Sequence, residues 1–263
     1  MTLPLVSVII PVHGRSNLVL RLVDSIRGSS RLGEIIIVDD KSPDGDSEVL
    51  KTIEGVRYFA NKGNEGFVKS VNRGCNKAEN EYLLILNSDT EAYHSRCIGN
   101  MADNLDDGAA VCGALLVYPK SDPYQRGDLI QHCGVFFDTR GYPRHIMSGF
   151  PADTPMANVR RSVPAVTGAC FMTTKKWWNS ISGFDTRLSP GCFEDVDFCI
   201  QARKLGGDVV YDPRSIFYHY EHASQANSAN WFSDDNLGRN FQYLLLKHGQ
   251  QPASDSYWFK GSF

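Results

Sequence analysis

The sequence lacks a long apolar run, since no stretch approaches the roughly 20 residues that a helix needs to span a bilayer. Its first residues carry no charged leader, and the apolar run that follows them is too short for a signal peptide. No basic run dominates any region, and the net charge is −3. These absences predict a chain with no transmembrane segment, and they give no electrostatic case for nucleic acid as a partner.

A CxxC pair is also missing, although the chain has seven cysteines. Without such a pair, neither a zinc ribbon nor a redox motif is indicated. Scattered cysteines in odd number are typical of reduced thiols. We therefore expect a cytoplasmic protein, either free or in peripheral association with the inner face of the membrane.

What the sequence does contain is an alternation of strand and helix patterns up to residue 90. Residues 6–12 are β-branched and nearly all apolar, as in a strand buried on both faces, and residues 18–26 place apolar side chains at helical spacing. Further strands are predicted at 34–38, 56–59 and 82–86, with a helix at 65–78. The alternation predicts an α/β fold with a mostly parallel, Rossmann-like central sheet flanked by helices.

Beyond residue 90 the pattern becomes less regular. We divide the domain where the most irregular region begins, into a first half, 1–118, and a second half, 119–263. Residues 119–163 are rich in Pro, Gly, Asp and Arg, with one short strand candidate at 134–137. A partly irregular excursion of this length is expected to cover a site. Helices are predicted at 97–105, 175–180, 194–205 and 234–248, and strands at 110–117, 209–211 and 215–219, with ordered structure resuming at 165–172.

Two acidic segments come directly after predicted strands, where open α/β sheets bind ligands. Asp39 and Asp40 end the second strand, and Asn87, Ser88 and Asp89 end the fourth. The first pair suits a ribose hydroxyl or a base N–H, although Asp-Lys-Ser-Pro-Asp-Gly is equally typical of a turn. Asp89 suits a hard divalent ion beside a diphosphate, although Asn-Ser-Asp-Thr also reads as a helix N-cap.

A third acidic segment, Glu194 with Asp195 and Asp197, opens a predicted helix. Acids in a first helical turn are favoured by the helix dipole alone, whereas one of these carboxylates at a cleft would serve as a general base. Downstream, His219 and Glu221 share one face if their strand continues, and imidazole beside carboxylate is a ligand set for Mn²⁺. His222 is a weaker candidate. The histidines His13, His132 and His145 are candidate substrate contacts.

Together, these segments resemble the family 2 glycosyltransferases of the GT-A fold, over residues 6–224. The opening strand with Pro11, Val12 and His13 is similar to the family's first strand, and Asp40 corresponds to the acid that contacts the nucleoside base. The segment 61–74, with Asn64 and Asn72, matches the stretch before the metal motif. Asn87, Ser88 and Asp89 fit the variant of that motif in which Asn replaces the first Asp.

The resemblance implies roles for these residues and for the two halves of the chain. Residues 1–118 would bind the nucleotide sugar, and residues 119–263 would bind the acceptor and hold the catalytic acids. Asp195, with Glu194 beside it, would be the catalytic base, while Asp89 and His219 would hold Mn²⁺ or Mg²⁺. The region 167–199 looks like that of rhamnosyl- and galactofuranosyltransferases, which implies an inverting transfer from a UDP- or dTDP-sugar to a glycan or lipid-linked glycan in surface polysaccharide biosynthesis. No Gln-x-x-Arg-Trp sequence is present, which indicates a non-processive enzyme.

Two alternatives remain at this point. A sugar nucleotidyltransferase also uses a Rossmann-like sheet and a metal, but it requires a Gly-rich phosphate loop after the first strand, where residues 11–15 offer a single glycine. A catalytically silent carbohydrate-binding domain is the other alternative, and donor hydrolysis by the purified protein would exclude it.

Overall fold

The computed structural model describes residues 3–221, 233–251 and 253. Up to residue 86, strands and helices alternate as the sequence predicts. The elements are β1 Val6–Val12, α1 Ser16–Ile26, β2 Leu32–Asp39, α2 Asp44–Lys51, β3 Arg57–Ala60, α3 Phe67–Lys77 and β4 Tyr82–Leu86. All seven residues of β1 are buried, because helices cover both faces of the sheet and leave no solvent side for a polar residue.

The chain beyond residue 86 supplies shorter strands and the remaining helices. These elements are β5 Thr90–Ala92, α4 Cys97–Asp106, β6 Val111–Val117, β7 Ile130–His132, β8 Val135–Phe137, β9 Pro143–His145, β10 Arg161–Ser162, β11 Cys170–Thr174, α5 Lys175–Ile181, α6 Glu194–Lys204, β12 Val209–His219 and α7 Asp234–His248. The sequence patterns did not predict α2, β5, β7, β9 or β10, most of which are too short to show a period.

One ten-stranded sheet contains strands from both halves, in the order β10-β12-β6-β11-β4-β1-β2-β3, with β5 on β12 and β7 on β6. The block β4-β1-β2-β3 is parallel throughout, as predicted. β11 runs antiparallel between β4 and β6, so the sheet as a whole is mixed. β8 and β9 form a separate hairpin.

The last sheet strand differs from its prediction in one respect. Two strands were predicted at 209–211 and 215–219, and the structure has one strand, β12, whose register to β6 shifts between Asp212 and Ile216. Pro213 lies inside that shift and cannot donate a backbone hydrogen bond, which accounts for the break in pairing. Beyond the shift, β12 carries His219 to the end of the sheet where β4 also ends.

Apolar side chains pack on both faces of this sheet in two buried clusters.

All seven cysteines are free, and burial raises the pKa of the thiols, for example that of Cys133 to about 11. Among the described residues, every helix is too short or too polar to cross a bilayer.

Candidate active site

A cleft of about 740 Å³ opens at the carboxyl ends of β1, β2 and β4. In the order of the sheet, β2 and β3 lie on one side of β1 and β4 lies on the other, so the chain switches direction between β1 and β4. Ligands bind at such a switch point in open α/β sheets. The opposite wall comes from the excursion, through residues of β8, β9 and the turns beside them, and from the start of α6.

Asp40 lies on the floor of the cleft and organises two loops. Its carboxylate accepts hydrogen bonds from Asn61 Nδ2 at 2.8 Å and from the backbone N–H groups of Glu65 and Gly66 at 2.7 and 2.8 Å. A carboxylate offers about four acceptor positions, so one remains for a base N–H. The neighbouring Asp39 instead accepts from Ser42, Ser47 and Tyr58, which is turn chemistry. Turn chemistry thus accounts for Asp39, while Asp40 lines the cleft.

Gly66 shows why glycine is needed in this loop. Its φ is +90°, and a Cβ atom would lie 2.8 Å from Pro190 Cα. The absence of a side chain lets the loop of residues 61–66 pack directly against the loop that leads to α6. Asp40 is therefore coupled, through Gly66, to the segment that carries Glu194 and Asp195.

Two predicted donor-site residues, Asn64 and Asn72, do not line the cleft. Asn64 Nδ2 lies 3.5 Å from His13 Nε2, and the other ring nitrogen of His13 donates to the Asp40 carbonyl at 2.9 Å. Asn72 exchanges two hydrogen bonds with the backbone of Phe184, at 2.8 and 2.9 Å. The Asn72 amide therefore joins α3 to the segment before α6, outside the lining of the cleft.

Asp89 and His219 meet at one end of the cleft, with Asp89 Oδ1 3.1 Å from His219 Nε2. The other ring nitrogen, Nδ1, lies 2.7 Å from the side-chain oxygen of Gln131, which accepts its hydrogen. In the neutral ring, His219 Nε2 then presents a lone pair to a carboxylate, and a cation bound between the two would satisfy both. A carboxylate with an imidazole held in this tautomer by a neighbouring acceptor is the donor set of a transition-metal site.

The rest of the Asn-Ser-Asp segment supports this end of the cleft. Asn87 Nδ2 lies 3.4 Å from His219 Nε2, and Ser88 is buried against the cleft. The segment is followed by strand β5 and not by a helix, so it does not act as an N-cap. Within the described residues, Asp89 and His219 are a pair, and no group of three or more His, Cys, Asp or Glu converges on one point. His222 lies outside the described residues.

Asp195 faces the cleft from the first turn of α6. Its carboxylate accepts hydrogen bonds from Gly168 N at 2.6 Å and from its neighbour Val196 N at 2.7 Å. Gly168 lies directly beside this carboxylate, since a Cβ atom there would be 3.5 Å from Asp195 Oδ2. The two residues before the helix, Cys192 and Phe193, adopt φ of +82° and +70°. Such backbone strain occurs where a site requires one fixed geometry.

Glu194 and Asp195 differ in their stabilisation of negative charge. Burial raises the pKa of both carboxyl groups, and the charge of Asp195 raises that of Glu194 further, well above its ordinary range. The two backbone N–H donors favour the ionised form of Asp195, whereas Glu194 Oε2 has no hydrogen-bond partner among the described residues. Asp195 therefore ionises first, and Glu194 keeps its proton.

Asp197, the third acid of this segment, faces away from the cleft. It is fully buried and contacts His248 Nε2 at 2.7 Å and Lys247 Nζ at 2.8 Å, both on α7. Its role is to hold α7 against α6. The same helix reaches the loop before Glu194, because Asn240 Nδ2 donates to the carbonyls of Leu188 and Gly191 at 2.9 and 2.8 Å.

The structure thus brings ten of the twelve predicted site residues to one cleft, namely Pro11, Val12, His13, Asp40, Asn87, Ser88, Asp89, Glu194, Asp195 and His219. Glu221 also lines the cleft, although β12 ends at His219, and it accepts from Tyr118 and Arg126 at 3.0 and 3.1 Å. Gln131 was missed, because a lone glutamine in an irregular segment gives no signal in the sequence.

Comparison with known proteins shows the family to which the chain belongs. The sequence model described as "Glycosyl transferase family 2" matches residues 7–181. The chain is similar to the O-antigen biosynthesis protein RfbC of Myxococcus xanthus, with 27% identity over 97% of the chain and 20% of that relative. The chain therefore spans about a fifth of the length of this relative.

Two solved structures share the fold. The structure of GalNAc-T7 with UDP, GalNAc and Mn²⁺ has a TM-score of 0.72 and 19% identity, over 93% of the chain and 48% of that protein. The mannosyltransferase PcManGT from Pyrobaculum calidifontis, in complex with GDP-Man and Mn²⁺, has a TM-score of 0.60 and 16% identity, over 86% of the chain and 60% of that protein. The family match covers more than half of the chain, and with this shared GT-A architecture it shows that the protein belongs to glycosyl transferase family 2.

Proposed function

We propose that this protein is an inverting glycosyltransferase that moves a sugar from a nucleoside-diphosphate donor to a hydroxyl group. The observation that carries the proposal is the placement, in one cleft, of the Asp195 carboxylate and the Asp89–His219 pair. A base and a cation-binding pair facing the same space are what a single displacement at a sugar carbon requires. Asp40 stands at the nucleoside end of that space.

In this reaction Asp195 removes the proton of the acceptor hydroxyl. The hydroxyl oxygen forms a bond to the anomeric carbon as the bond from that carbon to the diphosphate oxygen breaks. The nucleoside diphosphate leaves with the electron pair of the broken bond. The hydrogen bonds from Gly168 and Val196 hold the carboxylate ionised and fix its direction, so that little reorganisation accompanies proton transfer.

A divalent ion fits the Asp89–His219 pair, and when bound it would neutralise charge on the leaving diphosphate. A site of one carboxylate and one imidazole suits Mn²⁺ better than Mg²⁺, which prefers oxygen ligands alone. Mn²⁺ in the structures of GalNAc-T7 and PcManGT supports a metal in this fold. Gln131 contributes by holding the His219 ring in the tautomer that exposes Nε2.

For the identity of the donor and the acceptor, the support comes from related proteins and from the lining of the cleft. UDP in the GalNAc-T7 structure favours a UDP-sugar over the dTDP alternative, and GDP-Man in the mannosyltransferase adds GDP to the candidates. The name of RfbC supports a glycan or lipid-linked acceptor in surface polysaccharide biosynthesis. An apolar wall suits such an acceptor, since Tyr142 and Phe193 line the cleft with ring centroids 5.6 Å apart. Aromatic faces of this kind pack against the apolar face of a sugar ring.

The nucleotidyltransferase alternative gains no support from the loop after β1. The Gly14 backbone N–H, which would have to bind phosphate, donates to Ser42 Oγ at 2.7 Å. A loop whose N–H group is already bonded internally lacks the donors of a phosphate cradle.

Calorimetric titration tests the proposal directly. UDP, dTDP and GDP are titrated with and without Mn²⁺ into the wild type, Asp89→Ala and the control Asp107→Ala, which removes an exposed acid outside the cleft. We expect metal-dependent binding of one nucleotide, lost in Asp89→Ala and retained in the control. Failure of the wild type to bind any of the three would overturn the proposal. With a bound donor in hand, the anomeric configuration of the product by NMR tests inversion.

A further inference from the structure

Two neighbouring residues of β7, Gln131 and His132, each contact a histidine of the cleft. Gln131 bonds to His219, and His132 Nδ1 lies 2.7 Å from His145 Nδ1 on β9. The His132 and His145 rings meet edge to face, with centroids 4.9 Å apart. His145 lines the cleft, whereas His132 is fully buried behind it.

The direction of the hydrogen bonds between these two rings follows from one fixed donor. The Thr167 backbone N–H lies 3.4 Å from His132 Nε2 and can only donate. His132 Nε2 is therefore an acceptor, and in a neutral ring the hydrogen must sit on Nδ1. Burial lowers the pKa of His132 well below its usual range, which keeps the ring neutral.

His145 must then accept through Nδ1 and carry its own hydrogen on Nε2. This is the opposite tautomer to that of His219, whose Nδ1 carries the hydrogen and whose Nε2 presents a lone pair. Gln131 and His132, which are adjacent on β7, thus favour opposite tautomers in the two cleft histidines. His219 presents a lone pair to the cleft, and His145 presents an N–H group. Among the described residues, no hydrogen-bond partner for His145 Nε2 is found.

We propose that His145 is a specificity-determining residue whose Nε2–H donates to a hydroxyl oxygen of the transferred sugar. The ligand class follows by assignment, because the diphosphate has the cation of the Asp89–His219 pair and the nucleoside base has Asp40, which leaves the sugar hydroxyls without a partner in the cleft. The inference rests on the proposed transfer function, which supplies the sugar. His132 is a positioning residue that acts through His145.

The tautomer can be measured without any activity. In protein labelled with ¹⁵N-histidine, long-range ¹H–¹⁵N spectra at neutral pH distinguish Nδ1–H from Nε2–H rings, and His145→Leu assigns the signal. We expect an Nε2–H ring for His145 that is lost or mixed in His132→Phe. An Nδ1–H or charged His145 in the wild type would overturn the proposal.

The ligand contact is tested by calorimetry with Mn²⁺ present, using UDP, dTDP and GDP and then UDP-glucose, UDP-galactose, dTDP-rhamnose and GDP-mannose. For the nucleotide sugar that binds the wild type, we expect His145→Leu to raise Kd roughly threefold to tenfold, the effect of one neutral hydrogen bond. The corresponding free nucleoside diphosphate should bind the variant as it binds the wild type.

A matched control is His94→Leu, which removes a histidine that does not line the cleft. An equal loss of affinity for the free diphosphate would overturn the sugar contact and assign His145 to the phosphates. Unchanged affinity for every nucleotide sugar that binds would overturn it as well. If the wild type binds no nucleotide, the proposed function fails and the sugar contact fails with it, while the NMR result still decides the tautomer.

Discussion

At the scale of single residues, the chemistry of the cleft depends on two adjacent carboxyl groups in unlike surroundings. Asp195 accepts two backbone hydrogen bonds, and Glu194 keeps one buried oxygen with no partner among the described residues. Neighbouring acids whose pKa values are driven apart in this way take different parts in a reaction. In the proposed reaction, the member that ionises first, Asp195, is the base, and Glu194 stays neutral beside it.

The first prediction concerns Asp195→Asn. Because the amide cannot accept the proton of the acceptor hydroxyl, we expect release of nucleoside diphosphate from the donor to slow by about 10²- to 10⁴-fold. Donor affinity should not change, since in the proposed reaction Asp195 contacts the acceptor hydroxyl and not the nucleotide. Steady-state turnover and calorimetry of the same preparation measure the two quantities, with Asp107→Asn as the control. Normal turnover in Asp195→Asn would exclude this residue as the base.

A second prediction concerns the stability contributed by Glu194. Burial and the charge of Asp195 raise the pKa of Glu194 in the folded state, so the native protein binds a proton that the unfolded chain releases above its ordinary pKa of about 4.3. Stability should therefore fall as pH rises from that value, by at most about 1.4 kcal/mol per pH unit from this group. Glu194→Gln should remove this slope and be more stable than wild type at pH 7. Urea unfolding across this pH range measures it, and identical slopes in the two proteins would contradict the assignment.

At the scale of elements, helix α7 holds the loop that precedes Glu194 and Asp195. Asn240 is fully buried on α7 and bonds to the carbonyls of Leu188 and Gly191, while Asp197 on α6 binds Lys247 and His248 near the end of the helix. The strained backbone at Cys192 and Phe193 lies between these two attachments. An element outside the matched family region therefore fixes the direction of Glu194 and Asp195.

The third prediction follows from this attachment. Asn240→Ala leaves buried carbonyl groups without donors, which costs about 1–3 kcal/mol of stability. Because the loop then loses its fixed geometry, turnover should fall while the Kd of the donor stays unchanged. The exposed Asn76→Ala on α3 is the matched control for urea unfolding and kinetics. A variant with lost stability but unaltered turnover would show that α7 only supports the fold.

At the scale of the whole molecule, the cleft joins distant parts of the chain. Asp89 and His219 are 130 positions apart, and Gln131 comes from the excursion between them. A ligand in this cleft contacts the sheet edge, the excursion and α6 at once. Binding should therefore stabilise the native state as one unit.

The fourth prediction is a metal-dependent rise in melting temperature. At a nucleotide concentration of about 100 times Kd, binding adds roughly 2.7 kcal/mol to the native state, which corresponds to a shift of several degrees. The shift should require Mn²⁺ together with the nucleotide that binds, and Asp89→Ala should abolish it. Differential scanning fluorimetry with Mg²⁺ and with chelator as controls measures this. A full shift in the presence of chelator would mean that nucleotide binds without metal.

The sequence predicted the positions of the main elements because their signals are local. Residues 6–12 can form a buried strand whatever surrounds them, and acids at 40 and 89 reach the same edge once both strands are parallel. The surroundings of Asn72 could not be predicted from local signals, since they depend on Phe184, 112 positions away. The choice of Asp40 over Asp39 for the cleft likewise depends on which loops reach each carboxylate.

The amino-acid sequence by itself thus determined the α/β alternation, the family resemblance and the set of acids and histidines from which a site can be built. Only the tertiary structure decided how those groups are protonated and oriented. Gln131 reaches His219 across 88 positions and Thr167 reaches His132 across 35, so no local pattern contains these hydrogen bonds. The physical reason is that pKa values and tautomers are set by burial and by partners that folding brings together, whereas secondary structure is set largely by neighbours along the chain.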